Sequence, residues 1–523
     1  MHTLKSYVCG HWHEATEGFR PLYDPSTEEE IARASSSGIA FGDVLDHARE
    51  TGGPALRAMT FAQRGALLRD LSKALRAHRD ELLDLSRRNN GTTEADGSFD
   101  LDGASGTLHY YASFGRRLGD VRTLPDDDGQ QLGRDEHFWT RHVWVPRQGA
   151  AVGVNAFNFP AWGFVEKAAC ALLAGVPVIA KPATATAWVA QRCAEIMVAS
   201  GVLPEGTFQM IVGGTGDLLE RLGPQDVFAF TGSADTARDL LAGESLRKHN
   251  TRTNVEADSL NAAVLAPDAD GDTLARFVRD VSHEMMQKAG QKCTAIRRVF
   301  VPVARIDEVQ EALVARLDKK AAVGNPADAA VTVGPLATAS QLSDAERGVR
   351  ELESAGAQKV YGEGCRVDGL GSTEDRGYFF PPTLLRHEEP HTAGAVHGRE
   401  VFGPVATLMP YDGTATEAAQ LVALGGGTLV TSVYTDTRDW LEELVVAGGA
   451  HTGRIYIGSA ESAGFGSGAA LPASLHGGPG RAGGGEEVGG AIGLERYLQR
   501  LALQGDRPLV DGVLVHSTGE DDA

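Results

Sequence analysis

Short apolar runs recur in the middle of the chain, and longer segments with helix-compatible spacing separate most of them. Five runs are found, at residues 151–155, 176–180, 208–212, 227–230 and 252–255. Strands that alternate with helices are typical of parallel sheets, because neighbouring parallel strands need a crossover connection. The pattern therefore predicts an α/β fold built on a parallel sheet.

Polar or glycine residues follow every one of these runs. Asn158 follows the first run, Lys181 follows the second and Glu256 follows the fifth. Paired glycines at 213–214 come after the third run, and Thr-Gly-Ser at 231–233 comes after the fourth. Parallel α/β sheets bind ligands beyond the carboxyl ends of their strands, so we expect a ligand site along this edge.

The first third of the chain is predicted to be helical and then rich in loops. Leucines recur at helical spacing within residues 61–85, and Asn-Asn-Gly at 89–91 ends that run. The polar, glycine-bearing stretch at 92–106 indicates a loop. Residues 137–146 alternate in polarity and carry aromatic side chains, which indicates a strand.

A second α/β unit is expected to start near Leu260. Its first helix has apolar positions from Leu274 to Met285 and leads into Gly-Gln-Lys-Cys at 290–293. Residues 458–493 are rich in glycine and alanine, and the charges embedded among them favour ordered loops over a flexible linker.

Composition and charge narrow the possible partners. A formal net charge of −21 argues against nucleic acid, because neutralising phosphates needs a basic surface. No apolar stretch approaches the roughly 20 residues needed to span a bilayer, and the N-terminus lacks the apolar core of a signal peptide. We therefore expect a cytoplasmic location and no membrane partner.

The cysteines and histidines do not suggest a disulfide framework or a metal cluster. The five cysteines are odd in number, widely spaced and without a Cys-x-x-Cys pair. The 16 histidines show no ligand spacing, so no metal site is predicted. Free thiols in a reducing compartment are the simplest interpretation, and one of them is available as a nucleophile.

Three residues have the chemistry of a covalent catalyst, and each has a structural alternative. Cys293 follows a Gly-Gln-Lys turn and is either a thiol nucleophile or a buried structural cysteine. Glu256 ends a predicted strand and is either a general base or an ion-paired acid. Asn158 precedes Phe-Pro and either donates to an oxyanion or shapes the turn before a helix.

Residues suited to a nucleotide lie on the same edge of the predicted sheet. Lys181 is placed to reach a ribose or a phosphate. Gly232 and Ser233 open a predicted helix, whose N-terminus either binds an anion or is simply capped. The usual Gly-x-Gly-x-x-Gly fingerprint is absent, because Leu219 stands where the third glycine would be.

The identity and order of these motifs resemble the aldehyde dehydrogenase superfamily from about residue 57 to residue 504. Each motif is weak alone, but the six together identify the chain as a member. The resemblance implies an α/β aldehyde dehydrogenase fold with a Rossmann-like cofactor domain, an α/β catalytic domain and a small β oligomerisation element. The matching motifs are Asn-Phe-Pro at 158–160, Lys-Pro at 181–182, Phe-Thr-Gly-Ser at 230–233, Glu256, Gly-Gln-Lys-Cys at 290–293 and Glu-Val-Phe-Gly-Pro at 400–404.

The resemblance also implies a role for each candidate residue. Cys293 attacks the aldehyde carbon, and the Asn158 amide and the Cys293 backbone N–H hold the oxyanion. A nicotinamide nucleotide accepts hydride, and Glu256 activates the water that hydrolyses the resulting thioester. The implied cofactor-binding residues are Lys181 and Ser233 on the adenosine and pyrophosphate side, Glu400 at the nicotinamide ribose, and their neighbours Thr184, Gly232 and Phe402.

Two departures from the family pattern concern the cofactor. Ala237 stands where the cofactor turn usually closes with glycine. Thr184 stands where NAD-preferring members usually carry a glutamate that binds the ribose hydroxyls. Without that carboxylate a 2′-phosphate is not repelled, so we predict NADP as the cofactor, with NAD as the other possibility.

The sequences at 155–160, 181–187, 256–261 and 476–487 resemble one subgroup of the superfamily. It comprises the dehydrogenase part of the phenylacetate ring-cleavage protein and the 3,4-dehydroadipyl-CoA semialdehyde dehydrogenases of aerobic benzoyl-CoA degradation. The resemblance implies oxidation of a CoA-linked, ring-opened semialdehyde in phenylacetate or benzoate degradation. It leaves the choice between these two pathways open.

Two other functions stay open. In a CoA-acylating dehydrogenase, CoA rather than water releases the acyl group, and a water-activating Glu256 argues against that route. A non-catalytic nucleotide-binding or structural member would not need Cys293, Glu256 and Asn158 together.

The domain boundaries follow from the same resemblance. Residues 1–135 and 148–258 are predicted to form the dinucleotide-binding domain, and residues 259–484 the catalytic domain. Residues 136–147 and 485–523 are predicted to form the oligomerisation element, and the resemblance implies a homodimer.

Overall fold

Two seven-stranded sheets form the framework of the molecule, which the computed structural model describes at residues 2–373, 375–462, 466 and 468–515. The first sheet confirms all five predicted strands, which pair in parallel with one another. Two N-terminal strands extend it antiparallel. Its strand order is Arg252–Glu256, Val227–Thr231, Ala151–Val154, Val178–Lys181, Phe208–Met210, Ser6–Val8 and His11–His13.

The second sheet confirms the α/β unit predicted after Leu260. Six of its strands are parallel, and only the edge strand Gln358–Tyr361 runs antiparallel to its neighbour. The predicted helix leading to Cys293 is present as Gly271–Met286. The strand order is Gln358–Tyr361, Thr383–Arg386, Val405–Tyr411, Arg298–Pro302, Ala262–Leu265, Thr428–Tyr434 and Thr452–Gly458.

Helices cover the faces of both sheets, and the apolar residues between them form the core. The longer helices are Phe61–Ala77, Arg79–Asn90, Glu94–Leu118, Trp162–Ala174, Ala187–Ala199, Ala234–Leu241, Gly271–Met286, Ile306–Lys320, Ala339–Ser354, Ala415–Ala423, Arg438–Gly448 and Arg507–Val515. The shorter ones are Phe41–His47, Gly53–Ala58, Glu244–His249, Gly394–Gly398 and Ala491–Glu495. None of the helices in the described part of the chain has the length and apolar character needed to cross a bilayer.

The loop predicted at 92–106 is wrong, because this stretch lies in the helix Glu94–Leu118. The Thr93 side chain caps the helix by accepting from the Asp96 N–H at 3.2 Å. Gly103 faces Trp162, and a Cβ at this glycine would lie 2.2 Å from the indole ring. The glycine that suggested a loop therefore allows a close helix–helix contact. The predicted end of the preceding helix is confirmed, since Gly91 adopts φ +65° after Asn90.

Smaller sheets complete the fold. The strand predicted at 137–146 is confirmed as Phe138–Pro146, which pairs antiparallel with Leu498–Asp506 along its full length. The glycine-rich region contains more than loops, because Leu475–Gly477 pairs with Glu486–Val488. Residues 463–465, 467 and 516–523 of the predicted segments lie outside the described residues. The remaining short strands are His2–Thr3, Arg20–Tyr23, Glu30–Ala34, Leu124–Pro125 and Gln130–Gln131.

Candidate active site

A buried chamber lies at the carboxyl ends of the first sheet, where the sequence predicted a ligand site. The three predicted catalytic residues, Asn158, Glu256 and Cys293, all line it. His476, to which the sequence assigned no role, lines it as well. Aromatic side chains form much of the remaining wall: Phe99, Phe159 and Trp162.

Glu256 ends the strand Arg252–Glu256 and is almost fully buried. One of its carboxylate oxygens lies 3.0 Å from Nε2 of His476. Burial alone would raise the pKa of Glu256, but the adjacent His476 ring, with help from Lys167, holds it well below its usual range. Glu256 is therefore held as the ionised carboxylate.

The loop before Cys293 has an unusual backbone. Lys288 and Ala289 both have positive φ, and Gly290 follows with φ +67°. A Cβ at Gly290 would lie 2.2 Å from the Gly403 carbonyl oxygen, so this position requires glycine. The Lys292 side chain is fully buried and pairs with Glu284 at 2.9 Å, which anchors the loop beside Cys293.

The Cys293 sulfur faces the chamber. It lies 3.6 Å from Nε2 of His476. Burial raises the pKa of the Cys293 thiol well above its usual value, and the Glu256 charge raises it further. The resting residue is therefore a thiol, whose proton has Glu256 as its nearby acceptor. Asn261 donates to the Cys293 carbonyl at 2.7 Å and fixes the backbone at this point.

The Asn158 amide reaches the same loop. Its Nδ2 donates to the Gln291 carbonyl at 3.1 Å, two residues before the cysteine. An amide nitrogen carries two N–H groups, so the second remains available for an oxygen in the chamber. The structure thus places an amide donor and the nucleophile candidate on one wall.

A cluster of buried charged residues, Lys167, Glu166 and Glu487, lies next to the chamber. Nothing in the sequence indicated this cluster. Lys167 lies 3.1 Å from a Glu487 oxygen and 3.4 Å from Glu166. Burial raises the pKa of Glu166. Burial opposes a charge on Lys167, but the two acids raise its pKa. Lys167 and Glu166 lie on the helix that Asn158 precedes, while Glu487 pairs with His476 across two strands.

The predicted adenosine side of the cofactor site lies at the end of the strand Val178–Lys181. Burial lowers the pKa of Lys181, and the positive charge of nearby Arg20 lowers it further. The Thr184 hydroxyl donates to the Gly213 carbonyl at 3.3 Å. This hydrogen bond connects the segments that follow the second and third of the predicted strands.

The predicted pyrophosphate side begins at the next helix. Ser233 caps the helix Ala234–Leu241 by accepting from the Thr236 N–H at 3.3 Å, so the capping alternative is realised. A Cβ at Gly232 would lie 2.5 Å from the Phe230 ring. The buried Thr231 hydroxyl, which has no hydrogen-bond partner among the described residues, faces the chamber. The unpartnered Thr231 hydroxyl fits a polar ligand here.

Glu400 and Phe402, the residues predicted for the nicotinamide side, lie in the loop between the helix Gly394–Gly398 and the strand Val405–Tyr411. Glu400 accepts from the Ser259 N–H at 3.1 Å and lies 3.4 Å from Nε of Arg297. Burial raises the pKa of Glu400 to about 7, although Arg297 opposes this shift. The Phe402 ring stands edge-on to Phe157 at 5.8 Å. A buried carboxylate that Ser259 and Arg297 hold in place still has lone pairs for the hydroxyl groups of a ribose.

Comparisons with known proteins agree with this arrangement. The aldehyde dehydrogenase family matches residues 12–502. The chain is 42% identical over 483 residues to a 3,4-dehydroadipyl-CoA semialdehyde dehydrogenase of Aromatoleum evansii, covering 91% of this chain and 93% of that protein. It is 27% identical over 424 residues to the succinate-semialdehyde dehydrogenase (NADP(+)) GabD of Escherichia coli, covering 80% and 82%.

A solved lactaldehyde dehydrogenase from Escherichia coli has the same fold. The TM-score is 0.82 at 24% identity, with 96% of this chain and 99% of that chain covered. Fold, site and sequence therefore lead to one conclusion: the chain belongs to the aldehyde dehydrogenase family and is an aldehyde dehydrogenase.

Proposed function

We propose that this enzyme oxidises a CoA-linked semialdehyde to its carboxylic acid through a thioester on Cys293, with NADP as the electron acceptor. One observation carries the proposal. A thiol, a carboxylate and an amide donor from three distant segments, at Cys293, Glu256 and Asn158, meet in one buried chamber. This set supplies a nucleophile, a base and an oxyanion donor in one place.

The first half of the reaction uses the thiol and the amide. Glu256 accepts the thiol proton, and the Cys293 sulfur bonds to the aldehyde carbon. The oxygen of this adduct then takes its hydrogen bonds from Asn158 Nδ2 and the Cys293 backbone N–H. Loss of one such donor slows known enzymes by about 10²–10³-fold. When bound, the nicotinamide nucleotide supplies the hydride acceptor, and a thioester remains on Cys293.

The second half of the reaction uses Glu256 again. Glu256 first releases to solvent the proton that it took from the thiol. The carboxylate then accepts a proton from water, and the water oxygen bonds to the thioester carbon. The carbon–sulfur bond breaks as Glu256 passes this proton to the sulfur, which frees the acid and the Cys293 thiol. His476 at 3.0 Å holds the carboxylate in position. The positive charge of the buried Lys167 also favours the ionised form of Glu256.

The choice of NADP rests on the charges near Thr184. The family's usual glutamate is replaced by this neutral hydroxyl. Lys181 stands nearby, and the Arg20 charge acts on it. A 2′-phosphate therefore meets positive charge without the repulsion of a carboxylate at this position. The relative GabD, which carries NADP(+) in its name, supports this choice.

The substrate class rests on the relative that shares 42% identity over 91% of the chain, a 3,4-dehydroadipyl-CoA semialdehyde dehydrogenase. By the same relationship we place the enzyme in aerobic phenylacetate or benzoate degradation. A cytoplasmic homodimer completes the proposal. Five free cysteines support a reducing compartment. The sheet of Phe138–Pro146 and Leu498–Asp506, with Phe138 and Leu509 exposed beside it, supports pairing of two copies.

The test is turnover of a CoA-linked semialdehyde with product analysis. We expect NADP reduction, release of the free acid and no requirement for added CoA. The same aldehyde without its CoA moiety should be oxidised with a lower kcat/KM, because the CoA contacts are lost. A product that forms only when CoA is added, as a second thioester, would instead identify a CoA-acylating enzyme and refute the proposal.

A further inference from the structure

Cys293, Glu256 and His476 form a cluster of three different metal ligands. Their ligand atoms all lie within 4.8 Å of one another. The sulfur is 3.6 Å from Nε2 of His476, and that nitrogen is 3.0 Å from a Glu256 oxygen. The three residues come from separate segments, so no local spacing in the sequence indicates the cluster.

The distances fit a tetrahedral zinc ion. Zinc binds sulfur at about 2.3 Å and nitrogen or oxygen at about 2.0–2.2 Å. Tetrahedral angles then separate sulfur from nitrogen by roughly 3.5 Å and nitrogen from oxygen by roughly 3.3 Å. The observed separations of 3.6 Å and 3.0 Å differ from these by a few tenths of an ångström. The sulfur and the Glu256 oxygen lie within 4.8 Å of each other, so side-chain rotation must bring them up to about 1 Å closer to complete the site.

We propose that this trio is a zinc-binding site and that the bound ion reversibly switches the enzyme off. Binding replaces the thiol proton, which passes to solvent, by a sulfur–zinc bond. The two negative charges of the thiolate and the carboxylate then balance the charge of Zn²⁺, which suits a buried chamber. The ion blocks both the nucleophile and the base, so the aldehyde cannot be attacked.

The ligand set also selects the ion. Magnesium and calcium prefer shells made of oxygen, and a thiolate with an imidazole does not supply one. His476 is the decisive ligand, because without it the trio keeps just the Cys293 sulfur and the Glu256 carboxylate. Its ring is buried, with 3% of the residue exposed, and Nδ1 has no hydrogen-bond partner within the described chain. The other ring nitrogen, Nε2, already faces both the Cys293 sulfur and the Glu256 oxygen, as a ligand of a shared ion must.

The binding test uses the full-length enzyme, dialysed against Zn²⁺ with a competing chelator. We expect one tightly bound ion per chain and, with Co²⁺ in its place, a sulfur-to-cobalt charge-transfer band. His476→Gln keeps a hydrogen-bonding side chain beside Glu256 but removes the imidazole. It should weaken zinc binding by more than the roughly 10–100-fold that loss of an outer-shell partner costs. Cys365→Ser, at an exposed cysteine elsewhere, is the matched control and should bind zinc normally.

The outcomes distinguish a failure of the zinc site from a failure of the proposed function. Zinc binding is independent of that function, and the inhibition rests on it. If His476→Gln binds zinc as tightly as the native enzyme, or if no cobalt–sulfur band forms, the site is refuted and the proposed reaction stands. If zinc binds as expected but the saturated enzyme keeps its activity, the inhibitory switch is refuted, and the proposed role of Cys293 fails with it. Mg²⁺ at the same concentration should leave the activity of the enzyme unchanged.

Discussion

The substitution Gly290→Ala tests whether the backbone before Cys293 sets the geometry of the site. Gly290 has φ +67°, a conformation that costs alanine about 1–2 kcal/mol. The new Cβ would lie 2.2 Å from the Gly403 carbonyl oxygen. Relief of this contact requires a shift of roughly 1 Å to reach ordinary van der Waals separation. The Gly403 carbonyl also accepts from Arg297 at 2.6 Å, so the shift disturbs that bond.

The magnitude follows from these two contributions. The left-handed backbone and the lost packing together should lower the free energy of unfolding by about 2–4 kcal/mol. A misplacement of about 1 Å in the reacting groups reduces activity by about 10²-fold. We therefore expect Gly290→Ala to lower kcat/KM about a hundredfold, and the midpoint of urea unfolding to fall with it.

Gly106→Ala is the matched control. This glycine lies in the helix Glu94–Leu118, and a Cβ there would meet nothing within 4 Å. Alanine in a helix interior is more stable than glycine by about 0.5–1 kcal/mol, so this variant should gain stability and keep its activity. If Gly290→Ala behaves like the control, the close contact with Gly403 does not position Cys293 and the reasoning is wrong.

Three further predictions concern the oxyanion, the cofactor and pH. Asn158→Ala should lower kcat by about 10²–10³-fold in steady-state assays, while cofactor affinity measured by fluorescence titration stays unchanged. Thr184→Glu should shift the preference from NADP toward NAD, seen as a reversed ratio of kcat/KM values, and an unaltered ratio would contradict the assignment. Burial raises the pKa of Glu400 from 4.5 to about 7, so between these two pH values the folded state holds a proton that the unfolded state has lost. The free energy of unfolding therefore falls as pH rises from 4.5 to about 7. The fall in the free energy of unfolding is at most about 3 kcal/mol. Urea unfolding measured at several pH values in this range should show a smaller fall in Glu400→Gln than in the native enzyme.

Most of the parallel strands of the first sheet could be predicted, because they are short apolar runs that are largely buried. Residues 151–155 and 227–230 show this pattern, and the structure pairs them side by side. The helix Glu94–Leu118 could not be predicted in the same way. Its glycines look like loop residues in the sequence, and the contact of Gly103 with Trp162 that explains one of them is long-range.

The site residues that follow predicted strands could be found from the sequence, whereas those that depend on long-range contacts could not. Asn158 and Glu256 follow strands of a parallel sheet, so topology alone places them on one edge. His476 lies 183 residues after Cys293, and only the folded chain brings them together. The Lys167–Glu487 pair spans 320 residues and was missed for the same reason. The domain boundaries, the homodimer and the NADP preference stay predictions.

A covalent thioester on Cys293 is the most direct test of the proposed reaction. Glu256→Gln should form this adduct slowly, because the acceptor of the thiol proton is gone, and should then retain it, because the base for water is gone as well. Mass spectrometry of the variant, after incubation with aldehyde and NADP, should show the acyl mass on the peptide that contains Cys293. An unmodified Cys293 peptide in a sample that has formed a stoichiometric amount of NADPH would contradict the account.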